Sequence, residues 1–248
     1  MDPQTLSLER LYHPDGKSLG ALVAGMSGSG KTTAVLSTLQ QAIKKGSGFG
    51  ENHRFIVVDP KTQGGDYDLL AEPVYNAESA LKSIEKERVT VLWPDMESLV
   101  AEVEDLVSGI FDMAERNPKT SYTFILDEAS IMITPTNLPL SIKRLAVQGR
   151  AKRIKPVFIS QRPIINRWTD ANVSTMLLFN TLPVDADTLG KRFGVKFDDH
   201  AQRIRENPYS FVWFDMEKAT FTPMEPLPLP KPPRKRKRGV MDRFSDFF

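Results

Sequence analysis

The sequence predicts an α/β domain with a mostly parallel central sheet flanked by helices on both faces, and three observations predict it. Short β-branched or apolar runs alternate with longer helical patterns along the chain, as parallel strands and their crossovers do. Several of those runs are continuously apolar, which suits strands covered on both faces. With 40% hydrophobic residues in 248, the chain has the apolar material for one large packed core.

The strands are expected at Leu19–Gly25, Arg54–Asp59, Val89–Trp93, Tyr122–Asp127, Pro156–Ser160, Thr175–Phe179 and Tyr209–Phe214, with a short return at Ala219–Phe221. Helical patterns fill the intervals at Lys31–Lys45, Ala77–Lys86, Met96–Arg116, Leu138–Arg153, Ala186–Phe193 and Asp198–Glu206. Within Met96–Arg116, Leu99, Val103, Leu106, Val107, Ile110 and Met113 recur at three- and four-residue steps, an apolar stripe for core packing. One domain is therefore expected over residues 1–222, followed by a tail over 223–248. That tail carries six of the chain's 18 prolines, at 223, 226, 228, 230, 232 and 233. Proline fixes φ and removes backbone donors, so the stretch reads as an extended spacer. Lys231 and Arg234–Arg238 then form a basic cluster, and Met241–Phe248 adds three phenylalanines.

Composition narrows the chemistry. There are no cysteines, which excludes disulfides, thiol nucleophiles and thiolate zinc sites. His13, His53 and His200 are scattered without metal-ligand spacing and read as ordinary surface or core residues. No apolar run approaches the roughly 18 residues of a membrane-spanning helix, and the N-terminus has no secretory pattern. The net charge of +2 belongs to the tail: residues 223–248 hold seven basic and three acidic groups, leaving 26 basic and 28 acidic groups in the body. Charge alone thus does not assign the body to nucleic acid.

The strongest local signal is Gly25, Met26, Ser27, Gly28, Ser29, Gly30, Lys31 and Thr32, which fits G-x-x-x-x-G-K-[ST] between an apolar strand and a helix. The glycines allow backbone conformations that turn successive N–H groups inward around phosphate oxygens, and the helix adds its positive dipole end. Lys31 would meet the β- and γ-phosphates, Thr32 would donate its hydroxyl oxygen to Mg²⁺, and Thr33 completes the nucleotide-binding run. A second apolar strand ends in Asp127 and Glu128. Asp127 is expected to hold the Mg²⁺ shell and Glu128 to polarise the attacking water. No Asn-Lys-x-Asp pattern supports guanine specificity, and no Leu-Ser-Gly-Gly-Gln signature points to a transporter ATPase. Small-molecule kinases of this type rarely carry the paired acids. Hydrolysis of ATP coupled to mechanical work is the reading that remains.

Four further segments resemble the FtsK–HerA superfamily of nucleic-acid-translocating P-loop ATPases. Asp59-Pro60-Lys61 follows the second strand like that family's "DPK", and Ser160-Gln161-Arg162-Pro163 is similar to its "TQRP", with serine in place of threonine. Arg144–Ala151 resembles the preceding helix, and Asp170–Phe179, with Asp185 beyond it, the segment after. The resemblance spans roughly residues 19–190. It implies a RecA-like P-loop NTPase core, with Gln161 as a γ-phosphate sensor beside the Asp127 strand and Asp59 and Lys61 at the same sheet edge. It also implies a homo-oligomeric ring, a hexamer first and a pentamer as the alternative, in which an arginine reaches the neighbour's γ-phosphate. Arg150 is the first candidate, with Arg153 and Arg144 as alternatives.

Within the family, a bare core of this size, with no anchor, winged-helix module or N-terminal barrel, looks like the genome-packaging ATPases of membrane-containing double-jelly-roll viruses. The expected partner is double-stranded DNA, in the interior of a host cell. The tail is left open between docking on a capsid vertex or internal membrane protein, DNA contact and nuclear import. A cellular or plasmid DNA pump and a non-motor nucleotide-binding scaffold are the alternative functions.

Overall fold

The structure, a computed structural model, describes residues 7–14, 19–44, 48–61, 66–163, 166–194 and 198–231. In chain order its elements are α1 (Leu8–Tyr12), β1 (Gly20–Ala24), α2 (Lys31–Ile43), β2 (His53–Val58), β3 (Pro73–Val74), α3 (Ala77–Lys86), β4 (Val89–Leu92), α4 (Leu99–Arg116), β5 (Ser121–Leu126), α5 (Leu140–Gln148), β6 (Ile154–Ser160), α6 (Arg167–Ala171), β7 (Val173–Leu178), α7 (Pro183–Phe193), α8 (Asp198–Glu206), β8 (Phe211–Asp215) and β9 (Thr220–Met224). The strands form one sheet in the order β3-β4-β2-β5-β6-β1-β7-β8-β9. It is parallel from β3 through β7, and β8 and β9 add to it antiparallel.

Alternation along each strand divides the core into two layers. In β1, Leu22 and Ala24 join one buried cluster while Ala21 and Val23 join the other; in β2, Ile56 and Val58 oppose Phe55 and Val57. The first layer is closed by α3, α4, α5, α7 and α8, the second mainly by α1 and α2. Both faces being covered explains why β1, β5 and β6 are buried at every position. The apolar stripe of α4 is buried from Leu99 to Met113 as its spacing requires. His53 is a core residue, its ring nitrogens within hydrogen-bonding distance of Ser121 and Thr123, and burial lowers its pKa to about 3.

Of the boundaries that depart from expectation, four have a visible cause or consequence. Met96–Ser98 lie outside α4, in a turn closed by the Ser98 N–H on the Asp95 carbonyl. The helix expected to reach Arg153 stops at Gln148 and tightens to a 3₁₀ turn over Gly149–Lys152. There Gly149 packs so closely on β6 that a Cβ would stand 2.8 Å from the Ile154 carbonyl oxygen. Tyr209 precedes β8 instead of opening it, because Pro208 and the Ser210 N–H to the Asn207 carbonyl form a turn.

Finally, β9 runs through Pro223 to Met224, so a boundary between 222 and 223 falls inside a strand. Residues 225–231 continue as a strap along α2. Leu227 packs on the second core layer, and the Gln40 side-chain amide makes two hydrogen bonds with the Lys231 backbone, at 2.7 and 2.8 Å. The proline-rich stretch is thus extended, as expected, and also fastened to the domain over this length, with Pro226, Pro228 and Leu229 still exposed. The basic cluster Arg234–Arg238 and Met241–Phe248 lie outside the described residues.

Candidate nucleotide site

Parallel strands place all their C-terminal ends at one edge, and the candidate residues converge there. β6 lies between β1 and β5, so the glycine turn after β1 and the acids after β5 are two strand spacings apart, about 10 Å. They lie at the same edge, and Lys31 interacts electrostatically with both Glu128 and Asp127.

The turn is built around its backbone. Gly25 has φ +155 and a Cβ there would stand 2.6 Å from the Phe179 Cβ; Gly30, at φ +94, would place one 3.0 Å from the Tyr209 ring. Only glycine meets both demands. The Gly25 N–H donates to the Ser160 carbonyl and the Met26 N–H to the Asn180 carbonyl, fastening the turn to the ends of β6 and β7. Met26, Ser27 and Gly28 are exposed, and Ser29, Thr32 and Thr33 half-buried. Lys31, the first residue of α2, is buried and donates from Nζ to the carbonyls of Gly25 (2.7 Å) and Met26 (2.9 Å). Burial lowers its pKa, and the two acids oppose that shift. The ammonium is thus held by carbonyls of its own loop.

The opposing wall comes from three strands. Asp127 follows β5 and is 1% exposed. One oxygen accepts the Glu128 N–H, while the other, Oδ2, has no hydrogen-bond partner among the described residues and lies 3.6 Å from Lys61 Nζ. Burial raises its pKa, with Lys61 acting against the shift. Glu128 has φ +46, a left-handed conformation uncommon outside glycine and asparagine. This turns its carboxylate toward both Lys61 Nζ (3.0 Å) and Gln161 Nε2 (3.2 Å), the latter donating to it. Burial alone would lower the Lys61 pKa, but Asp127 and Glu128 reverse the sign and raise it. Asp59, at the end of β2, accepts the Lys61 N–H; burial lifts its pKa to about 6.

The structure therefore brings Gly25–Thr33, Asp59, Lys61, Asp127, Glu128 and Gln161 to one edge. Gln161 follows β6, adjacent to the Asp127 strand as expected. Ser160 fills the threonine's place in the motif, its hydroxyl accepting the Arg162 N–H, and Arg162 pairs with Asp185 at 2.5 Å. Arg150 and Arg153 are not brought to this site. They precede β6, about 20 Å away at the opposite edge of the sheet. Arg144 is occupied within the chain, its guanidinium 4.0 Å above the Phe111 ring.

Two residues near the site went unremarked in the sequence. Tyr67 is buried beside Asp59 and Asp127, and burial followed by those charges lifts its pKa well above the ordinary phenol range; no local motif marks it. Tyr209 covers Gly30, and the Asn207-Pro208 pair before it was the available turn signal.

The residues present fit a magnesium ion. The buried Asp127 Oδ2 makes no hydrogen bond among the described residues and has Lys61 Nζ at 3.6 Å, so it is a hard oxygen of the kind magnesium takes, and Thr32 lies one residue past the lysine two strands away. Among the described residues no cluster of three or more His, Cys, Asp or Glu is placed to hold a metal by itself, so phosphate and water oxygens would complete the shell.

No family profile and no curated protein matches the sequence. Solved structures do. The chain is similar to the genome packaging NTPase B204 from Sulfolobus turreted icosahedral virus 2 in complex with sulfate, with a TM-score of 0.68 and 17% identity over 87% of this chain and 98% of that one. The B204 complex with AMP gives 0.65 and 15% identity over 87% and 99%. VirB4 of Thermoanaerobacter pseudethanolicus gives 0.59 and 10% identity over 85% and 90%. The chain thus has the P-loop ATPase fold of a viral genome-packaging NTPase and of VirB4, the neighbours that the FtsK–HerA resemblance anticipates.

Proposed function

We propose that this protein is a Mg²⁺-dependent ATPase that translocates double-stranded DNA, working as a viral genome-packaging motor. The observation that carries the reading is the single sheet edge that gathers the Lys31 loop, Asp127, Glu128 and Gln161 on three neighbouring strands, in a fold whose neighbours include a packaging NTPase.

The chain's groups divide the work. The N–H groups of the loop and Lys31 would hold the triphosphate, and Thr32 and Asp127 would hold Mg²⁺. When bound, the ion would neutralise charge developing on the phosphate oxygens. Glu128 would accept a proton from water as its oxygen bonds to the γ-phosphorus and the bond to the bridging oxygen breaks. Gln161 donates to Glu128 and would report the state of the γ-phosphate to β6. Arg150, remote from its own chain's site, would serve a neighbouring subunit in a hexameric or pentameric ring. In this reading the protein acts inside the host cell, and its tail docks on a capsid vertex or internal membrane protein.

The likeness to VirB4 favours one second reading, a conjugation or plasmid DNA-pumping ATPase. The test is ATP turnover with and without double-stranded DNA, with solution mass measured in a non-hydrolysable analogue. DNA-stimulated turnover by a ring supports a motor. Tight nucleotide binding by a monomer whose turnover ignores DNA would return the chain to the scaffold reading.

A further inference from the structure

Beside the phosphate loop lies a cavity of about 410 Å³ lined by Gly30, Thr33, Ala34, Tyr209, Pro226, Leu227 and Leu229. Its floor is the first turn of α2, one residue beyond the lysine and threonine of the phosphate site. One wall is the Tyr209 turn and the other is the strap. Neither wall is ordinary. Tyr209 occupies the third position of the Asn207–Ser210 turn at φ +69, where glycine or asparagine is favoured, and presents its ring over Gly30 while remaining 60% exposed. Leu229 is 80% exposed although it lines the same hollow. A strained aromatic and an uncovered leucine bordering one slot are features that a flat apolar-faced group would bury.

The slot is also held in shape. The Ser210 hydroxyl donates to the Asn207 carbonyl at 2.6 Å, securing the turn. The strap is pinned at three places: Glu225 pairs with Arg203 at 2.6 Å, Leu227 packs on the core, and Lys231 is bracketed by the Gln40 amide.

We infer that this slot, formed by Tyr209 and the C-terminal strap, receives the nucleobase of the bound nucleotide and holds it by its faces. The inference rests on the phosphate-loop reading above and extends it to the nucleoside. Among the described residues of the lining, Thr33 and Tyr209 carry the only polar side chains, and no amide, carboxylate or charged side chain there reads the edge of a base. Stacking is indifferent to edge chemistry. Both purine triphosphates therefore fit, and the strap through which the tail leaves the domain becomes part of the nucleotide site.

The test is titration calorimetry on the full chain with two probes, MgATP and magnesium tripolyphosphate, which shares the phosphates but has no base. Wild type binds ATP about tenfold or more tighter than tripolyphosphate. Tyr209→Ala reduces ATP affinity to near the tripolyphosphate level and leaves tripolyphosphate unchanged, while Tyr209→Phe keeps the ATP preference. Gln40→Ala, which unpins the strap at Lys231, also weakens ATP alone. GTP binds wild type within a few-fold of ATP. Equal affinity for ATP and tripolyphosphate in wild type, or an ATP affinity unmoved by Tyr209→Ala, overturns the nucleobase slot and leaves the phosphate site standing. Failure of both probes to bind wild type would remove the phosphate site and this inference together.

Discussion

The glycine turn after β1 and the acid cluster after β2, β5 and β6 lie at the same sheet edge, yet they satisfy their charges differently. Lys31 is held by two carbonyls of its own loop, contacts available within seven consecutive residues from Gly25 to Lys31. Lys61, Asp127, Glu128 and Gln161 come from three separated loops and meet only because β2, β5 and β6 are neighbours. The first is a local object whose geometry travels with its sequence. The second is a product of strand order, in which each charge is balanced by a group distant along the chain. Substitutions should accordingly abolish binding on one side and retune chemistry on the other.

The largest effect is expected at Lys31. Lys31→Ala should weaken nucleotide binding by about 100-fold or more, since a buried charge-assisted phosphate contact is lost; titration with MgATP reads this directly. Near-wild-type affinity would mean that the loop carbonyls, and not phosphate, are the lysine's working partners. On the other wall, Glu128→Gln should reduce turnover by about 10²–10⁴-fold while ATP affinity stays close to wild type. Turnover at the wild-type rate would dismiss Glu128 as the base.

A smaller effect separates the two walls by pH. Asp59, buried beneath Lys61 and near Asp127 and Asp66, has its pKa raised from 3.8 to about 6. Between those values the native state binds the proton more strongly than the unfolded chain, so this contribution to stability is complete below pH 4 and is lost as pH rises through 6. Asp59→Asn should therefore raise the unfolding temperature at pH 7.5 and lose that advantage near pH 4, measured in chelator. A constant difference at both pH values would show that desolvation of the carboxylate is not its cause. Smallest of all, Lys61→Met removes the cation that faces the orphaned Asp127 oxygen and should lower, by a few-fold, the Mg²⁺ concentration that half-saturates nucleotide binding. No change would mean that lysine and metal do not compete for Asp127.

Much of this was legible in the residues. α3 and α8 begin and end where their patterns do, because helix periodicity and caps are short-range. The continuous apolar runs marked the strands to within a few residues, and Gly25–Thr32 announced itself by local requirements of φ and charge. Less visible were the stop of α5 at Gln148, which depends on contact between Gly149 and β6, and the two-residue edge strand β3, too brief to carry a period. The docking of the proline-rich strap stayed hidden for the same reason. Proline content predicts an extended backbone, but not the Gln40 amide and core surface to which that backbone is fastened.

The sequence by itself determined the α/β class, the glycine turn between β1 and α2 and the acids at a strand end, since each depends on neighbours a few residues away. Only the tertiary structure decided that β6 stands between β1 and β5, that Lys61 bridges Asp127 and Glu128, and that Tyr209 and residues 225–231 enclose a slot above α2. Those are relations between surfaces far apart along the chain, set by strand order and side-chain packing, and no local pattern encodes them.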